Sequence, residues 1–144
     1  MKLTTKTRYS LRILVQLALN ENKQALKGKE IASKQKISEP YLEQIMIPLK
    51  TSSFVKTIRG CNGGYTLNKS PETITVLDIL ELFEGKIEFS DCLNEKYKCS
   101  IFSTCPTSPI WRKLSNALAD EARKITLQNI IEEYQNSNIQ EYVI

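Results

Sequence analysis

The fold of this chain is decided by residues 38–67, which read SEPYLEQIMIPLKTSSFVKTIRGCNGGYTL. The first half has apolar residues at helical spacing. It begins with Ser38, a good N-cap, and has Pro40 in the first turn, where proline is tolerated. The second half is a strand candidate at 54–58, a glycine-rich turn at 59–64 and a returning strand at 65–67. The segment predicts a helix followed by a two-stranded hairpin.

Two more helices are predicted before this segment. Leu11, Leu14, Val15, Ala18 and Leu19 form an apolar stripe at helical spacing, and Glu30 opens a short second helix after a polar connection. The turn 35–37 joins this second helix to the one starting at Ser38, as in a helix-turn-helix, whose second helix enters the major groove of DNA. Arg59 in the glycine-rich tip suits a wing that probes the minor groove. The alternative is an ordinary hairpin with a solvated arginine.

The middle of the chain predicts one helix and then a loop. Thr75 and Asp78 have the spacing of a capping box, and the helix that they start extends to about Glu84. Residues 85–107 show no clear helical period and contain three cysteines. We therefore assign residues 1–84 to a winged helix-turn-helix DNA-binding domain and residues 85–107 to a cysteine loop.

The C-terminal part predicts two amphipathic helices. The first runs from Trp111 to Lys124, and Thr126 can cap the second. Their expected apolar positions are Leu114, Leu118, Ile125, Leu127, Ile130, Ile131 and Tyr134. Because these helices are expected outside the winged unit, residues 108–135 are assigned to dimerisation with a second copy, and residues 136–144 to a mobile polar tail. The predicted fold class is mainly α with a small β wing, a winged helix-turn-helix followed by a long C-terminal dimerisation helix.

Charge is distributed unevenly along the chain. Residues 1–70 carry a net charge of +9 and residues 71–144 a net charge of −5, within a total of +4. A basic first half favours a nucleic-acid partner, because lysine and arginine displace counterions from phosphates. A basic surface that is merely solvated is the alternative.

The chain has no secretory pattern and no apolar run long enough to span a membrane, so we expect a cytoplasmic protein without a membrane partner. Disulfides are rare in that compartment, and the four cysteines point to metal binding, redox sensing or burial. An enzyme is not expected, because the chain has no histidine, no Cys-x-x-Cys and no phosphate-binding loop followed by a helix.

Five stretches are characteristic in combination: MKLTTK at 1–6, RY at 8–9, YLEQ at 41–44, RGCNGGYTL at 59–67 and IWRKL at 110–114. Together with the spacing Cys92-x6-Cys99-x5-Cys105, they resemble the Rrf-two family of bacterial transcription regulators over residues 1–134. The resemblance implies a homodimer in which a long C-terminal helix crosses between subunits. A two-fold dimer would read a palindromic double-stranded operator.

The resemblance also implies which residues contact DNA. The recognition helix would span residues 38–50, Arg59 would enter the minor groove, and Lys56 would contact phosphate. Glu43 could accept from a cytosine amino group and Gln44 suits adenine, although either could instead orient its neighbours. The full set of predicted DNA-binding residues is Thr4, Arg8, Tyr9, Ser38, Tyr41, Glu43, Gln44, Lys56, Arg59, Gly60 and Gly63.

The cysteine triplet is similar to the cluster ligands of iron–sulfur members of the family. Three soft thiolates in one loop can hold a 2Fe–2S or 4Fe–4S cluster, with Cys92, Cys99 and Cys105 as ligands. The fourth ligand is unknown. The family's usual positions for it are occupied by Arg8, Arg12 and Ser108.

Several alternatives to a complete ligand set remain. An oxygen from Ser108, Asp91 or Glu95, an open iron site, or Cys61 brought back from the wing could complete the coordination. Zinc is less suited, because structural zinc prefers four cysteine or histidine ligands. The alternative function is a repressor of the same fold without a cluster, controlled by thiol oxidation near Lys96 and Lys98 or by a partner protein.

Overall fold

The computed structural model describes residues 2–20 and 24–141, with side chains through residue 138. Six α-helices and a two-stranded antiparallel sheet make up the described chain. In order they are α1 Thr5–Ala18, α2 Gly28–Gln35, α3 Glu39–Thr51, β1 Val55–Ile58, β2 Gly64–Leu67, α4 Val76–Glu84, α5 Ser108–Lys124 and α6 Leu127–Glu141. Single 3-10 turns lie at Pro71–Thr73, Asp91–Leu93 and Phe102–Thr104. The predicted mainly α fold with a small β wing is confirmed.

The capping signals seen in the sequence form as predicted. Ser38 Oγ accepts from the backbone N–H of Tyr41, and the side chains of Thr75 and Asp78 each accept from the other's backbone N–H. Thr126 and Asn129 make the same reciprocal pair at the start of α6. Each pair satisfies backbone donors that a helix start leaves without an intrahelical partner.

The main core lies between α1, α2, α3, the hairpin, α4 and α6. Its fully buried side chains are Ile13, Leu14, Ile31, Leu42, Ile45, Met46, Leu49, Val55, Ile74, Ile79 and Leu127. On α1 the buried face is centred on Ile13, Leu14 and Leu17, whereas the sequence analysis centred it on residues 11, 14, 15, 18 and 19. The stripe that includes Leu11 and Val15 is only half-buried.

The last helix belongs to the winged unit, which corrects the expectation that both C-terminal helices lie outside it. Leu127 and Ile131 are buried in the same core as α1. The backbone N–H of Val76 donates to Ile125 O, and that of Leu127 donates to Ile74 O. Two expected buried residues are not buried: Tyr134 is 50% exposed and Ile130 is half-buried.

The C-terminal helices also have boundaries that differ from the predicted ones. Helix α5 begins at Ser108 rather than Trp111, because Pro109 occupies the first turn, where its missing N–H costs nothing. Helix α6 continues through Glu141, so residues 136–141 are helical rather than a mobile tail, and residues 142–144 lie outside the described residues. No helix among the described residues is long and apolar enough to cross a membrane.

Candidate nucleic-acid interface and cysteine loop

Helices α2 and α3 form the predicted helix-turn-helix. Lys36 ends α2 in the left-handed conformation, with φ of 55°, and the backbone N–H of Ile37 donates to Ala32 O. Because α3 buries its apolar face, Ser38, Glu43 and Gln44 are left exposed on the opposite side. These are three of the predicted DNA-binding residues.

The wing is a tight hairpin whose tip is exposed. Val55 pairs with Leu67 and Ile58 with Gly64, and the backbone N–H of Gly63 donates to Gly60 O. A Cβ on Gly63 would lie 2.2 Å from Ile58 O, so this turn requires glycine. The predicted probe residues Arg59 and Gly60 are exposed at the tip, and Lys56 is exposed on β1.

Glu43 connects the recognition helix to the wing. The Tyr65 hydroxyl donates a hydrogen bond to Glu43 Oε1. Burial, together with this hydrogen bond and the Glu43 charge, raises the pKa of Tyr65 to about 12. One oxygen of Glu43 is therefore already used in orienting a neighbour, and the other can accept from a base.

The start of α1 is held by a residue that the sequence analysis did not single out. Glu84, the last residue of α4, accepts hydrogen bonds from the backbone N–H and the hydroxyl of Thr4, each at 2.8 Å, and from the hydroxyl of Thr7. The hydrogen bond from Thr7, followed by those from Thr4, lowers the pKa of Glu84 against the opposing effect of burial. Contacts between residues this far apart in sequence leave no local pattern.

Two aromatic rings fix α1 against α3. Tyr9 and Tyr41 meet edge to face, with ring centroids 6.2 Å apart, and the Arg12 guanidinium lies 5.0 Å from the centroid of Tyr9. Both tyrosines are half-buried, while Arg8 and Thr4 are exposed. Tyr9 and Tyr41 therefore pack α1 against α3. Their exposed edges remain available for the predicted DNA contact.

The basic side chains of this region are available to phosphates. Among the side chains described, those of residues 2–20 and 24–138, the ion pairs are Arg123 with Asp120 and Lys124 with Glu121, all on α5. No lysine or arginine in the described part of residues 2–70 is neutralised by a carboxylate in this way. Their charge can therefore serve an external anion.

The three loop cysteines are all half-buried, whereas Cys61 in the wing is exposed. The loop is attached to α5 by a hydrogen bond from the backbone N–H of Phe89 to Ser115 Oγ. Cys92 Sγ lies 3.1 Å from Ser90 Oγ, and Cys105 Sγ lies 3.3 Å from Thr107 Oγ1.

The donor set has the chemistry of a cluster site but is not assembled as one. In the part of the chain that the structure describes, no three His, Cys, Asp or Glu side chains are grouped to hold a metal ion. The three thiols are nevertheless the right ligand type, and they share one loop without a strand or an α-helix. Of the possible oxygen ligands, Ser108 is buried and donates to Cys105 O, while Asp91 and Glu95 are exposed.

A helix-turn-helix with an exposed recognition face, an arginine-tipped wing and unpaired basic residues defines a winged-helix transcriptional regulator. The Rrf2 family, described as iron-dependent transcriptional regulators, matches residues 3–133. The chain belongs to this family. It is a DNA-binding regulator rather than an enzyme, as its sequence predicted.

Relatives of the chain include regulators with different names. The chain is 36% identical to the regulator NsrR of Bacillus licheniformis, over 91% of this chain and 92% of that protein. The structure of CymR, the global cysteine regulator of B. subtilis, has a TM-score of 0.75 at 32% identity, covering 92% of this chain and 98% of CymR. The structure of IscR from T. potens also has a TM-score of 0.75, at 29% identity, covering 95% of this chain and 90% of that one.

Proposed function

We propose that the protein is a homodimeric regulator that binds a palindromic operator and responds to iron, redox state or nitric oxide through an iron–sulfur cluster on Cys92, Cys99 and Cys105. The observation that carries the proposal is the placement of three half-buried thiols in one irregular loop between α4 and α5. A loop that contains only short 3-10 turns can close around a cluster without breaking an α-helix or a sheet.

The DNA contacts follow from the exposed groups. The face of α3 that carries Ser38, Glu43 and Gln44 would enter the major groove, and Arg59 would enter the adjacent minor groove. Thr4, Arg8 and Lys56 would contact the phosphate backbone. Binding a chromosomal operator would place the protein in the cytoplasm.

A second copy would cover the apolar surface of α5. Ile110, Trp111 and Leu114 lie on one helix and are 52%, 37% and 44% exposed. Clustered exposed apolar side chains of this kind mark an interaction surface. A symmetric dimer through α5 would present two recognition helices to two half-sites of a palindrome.

The chain would supply the cluster with three thiolate ligands, and the fourth ligand could be exchanged. When bound, the cluster supplies iron with which small oxidants or nitric oxide react. Ser108 is held by its bond to Cys105 O, so an open iron site or an oxygen from Asp91 or Glu95 fits the structure better. Cys61 would require the wing to leave α3.

A thiol switch is the second candidate, and one observation favours it. The pKa of Cys105 is lowered, first by the hydrogen bond from the Thr107 hydroxyl and then by the backbone N–H groups of Thr107 and Ser108. A lowered pKa increases the thiolate fraction, which is the reactive form. Two loop thiols would lose two protons and two electrons to a peroxide and form a disulfide. The relation to a protein named as a cysteine regulator is consistent with this alternative.

The test is a visible absorption spectrum of protein purified without oxygen, with iron and sulfide assays. We expect a brown protein whose colour is lost in Cys92→Ser, Cys99→Ser and Cys105→Ser and kept in the matched control Cys61→Ser. A protein that stays colourless and iron-free after reconstitution contradicts the cluster. Mass spectrometry after peroxide treatment would then show whether a disulfide forms within the loop.

A further inference from the structure

The start of helix α1 carries basic side chains and no acidic side chain of its own. Its first turn has no acidic residue, and it carries Lys6 and Arg8. The start of a helix is its positive end, because the backbone N–H groups there have no intrahelical partner. Basic side chains at this end raise the energy of the helix, so an anion placed nearby is stabilising.

Glu84 supplies that anion from another helix. Its Oε1 lies 2.8 Å from the backbone nitrogen of Thr4 and 2.8 Å from the Thr4 hydroxyl, and it also accepts from the hydroxyl of Thr7, which is fully buried. Thr4 is itself the N-cap of α1 and accepts from the backbone N–H of Thr7 at 3.4 Å. One carboxylate therefore bonds both the N-cap residue Thr4 and Thr7 in the first turn of α1.

We infer that Glu84 is a positioning residue for DNA binding, which holds the start of α1 so that Thr4, Lys6 and Arg8 can meet the phosphate backbone. The inference rests on the proposed function in one respect, namely that this end of α1 faces DNA. Glu84 is followed by Gly85, with φ of 83°, where the cysteine loop begins.

The primary test compares Glu84→Gln with Glu81→Gln, which removes the same charge from an exposed position one turn earlier on α4. Binding is measured by fluorescence anisotropy with a labelled duplex that the wild-type protein selects from a random pool. We expect Glu84→Gln to weaken binding by about fivefold or more, within the usual range of coupling between sites. Glu81→Gln should bind like the wild type or slightly tighter.

A second pair of variants separates the hydrogen bonds from the charge. Thr7→Val removes the buried hydroxyl with little change in shape and should weaken binding in the same direction as Glu84→Gln. Thr7→Ser keeps the hydroxyl and should bind DNA with wild-type affinity. Circular dichroism at the assay temperature establishes that each variant is folded.

A double-mutant cycle with Arg8→Ala distinguishes positioning from a loss of stability. If Glu84 positions the basic start of α1, the fold-change caused by Arg8→Ala must be smaller in the Glu84→Gln background than in the wild type. Equal fold-changes in both backgrounds, or Glu84→Gln protein that binds as tightly as the wild type, overturn the inference. A wild-type protein that selects no duplex would instead count against the proposed function.

Discussion

Arg59 has an exposed position at the tip of the wing, and the structure leaves its charge without a carboxylate partner among the described residues. We expect Arg59→Ala to weaken operator binding and to reduce the slope of log K against log salt by about 1, because one cation fewer displaces counterions. The measurement is a titration at several salt concentrations. The control is Lys124→Ala on α5, which should have the same slope as the wild type. If Arg59→Ala also has the wild-type slope, Arg59 does not contact DNA.

Tyr65 is the residue through which the wing contacts Glu43 of the recognition helix. Tyr65→Phe keeps the ring and removes the hydroxyl, so we expect a loss of about 1 kcal/mol in the free energy of unfolding, typical of one hydrogen bond. Urea unfolding at neutral pH measures the loss. Equal stability of the two proteins would mean that water replaces the hydroxyl at no cost.

The raised pKa of Tyr65 has a defined consequence at high pH. The unfolded chain loses the tyrosine proton near the ordinary value of 10.0, whereas the folded chain keeps it to about 12. The stability that depends on this hydroxyl is therefore fully present below pH 10 and is lost as the pH rises from 10 towards 12. We expect wild-type stability to fall more steeply than that of Tyr65→Phe across this interval, and parallel curves would contradict the assignment.

Among the structural elements, the helix-turn-helix contains a local strain that can be relieved. Lys36 has φ of 55°, a conformation that costs a non-glycine residue about 1 kcal/mol. We expect Lys36→Gly to raise the free energy of unfolding by about 0.5–1 kcal/mol. Lys34→Gly, in the last turn of α2, is the matched control and should lower it by up to about 1 kcal/mol. A loss of stability in Lys36→Gly would show that the lysine stem contributes more by packing than its backbone costs.

Local signals made several elements predictable. Thr75 with Asp78 and Ser38 with its first turn are capping patterns confined to four residues, and the glycine-rich turn 59–64 specifies a hairpin. Long-range contacts were not predictable in this way. The bond between Glu84 and Thr4 joins residues 80 apart, and no local pattern distinguishes Glu84 from Glu81. The set of DNA-binding residues and the cysteine ligands remain predictions that rest on resemblance.

At the scale of the whole molecule, α6 closes the core of the DNA-binding unit. Leu127 is 1% exposed and packs in the same cluster as α1 and α3. We expect Leu127→Ala to lower the free energy of unfolding by about 2–5 kcal/mol, as is usual for a buried leucine. Tyr134→Ala on the same helix, at a half-exposed position, should change it by about 0.5 kcal/mol or less. Urea unfolding followed by circular dichroism measures both losses. A small effect of Leu127→Ala would indicate that α6 is not part of the core of the DNA-binding unit.

The placement of α6 also determines when the DNA-binding unit can form during synthesis. Helix α1 is synthesised before α6, and the side chains that complete its core, Leu127 and Ile131, are made more than a hundred residues later. Until then the apolar face of α1 that contains Ile13 and Leu14 is only partly buried. The DNA-binding unit is therefore incomplete in the nascent chain until α6 has been translated.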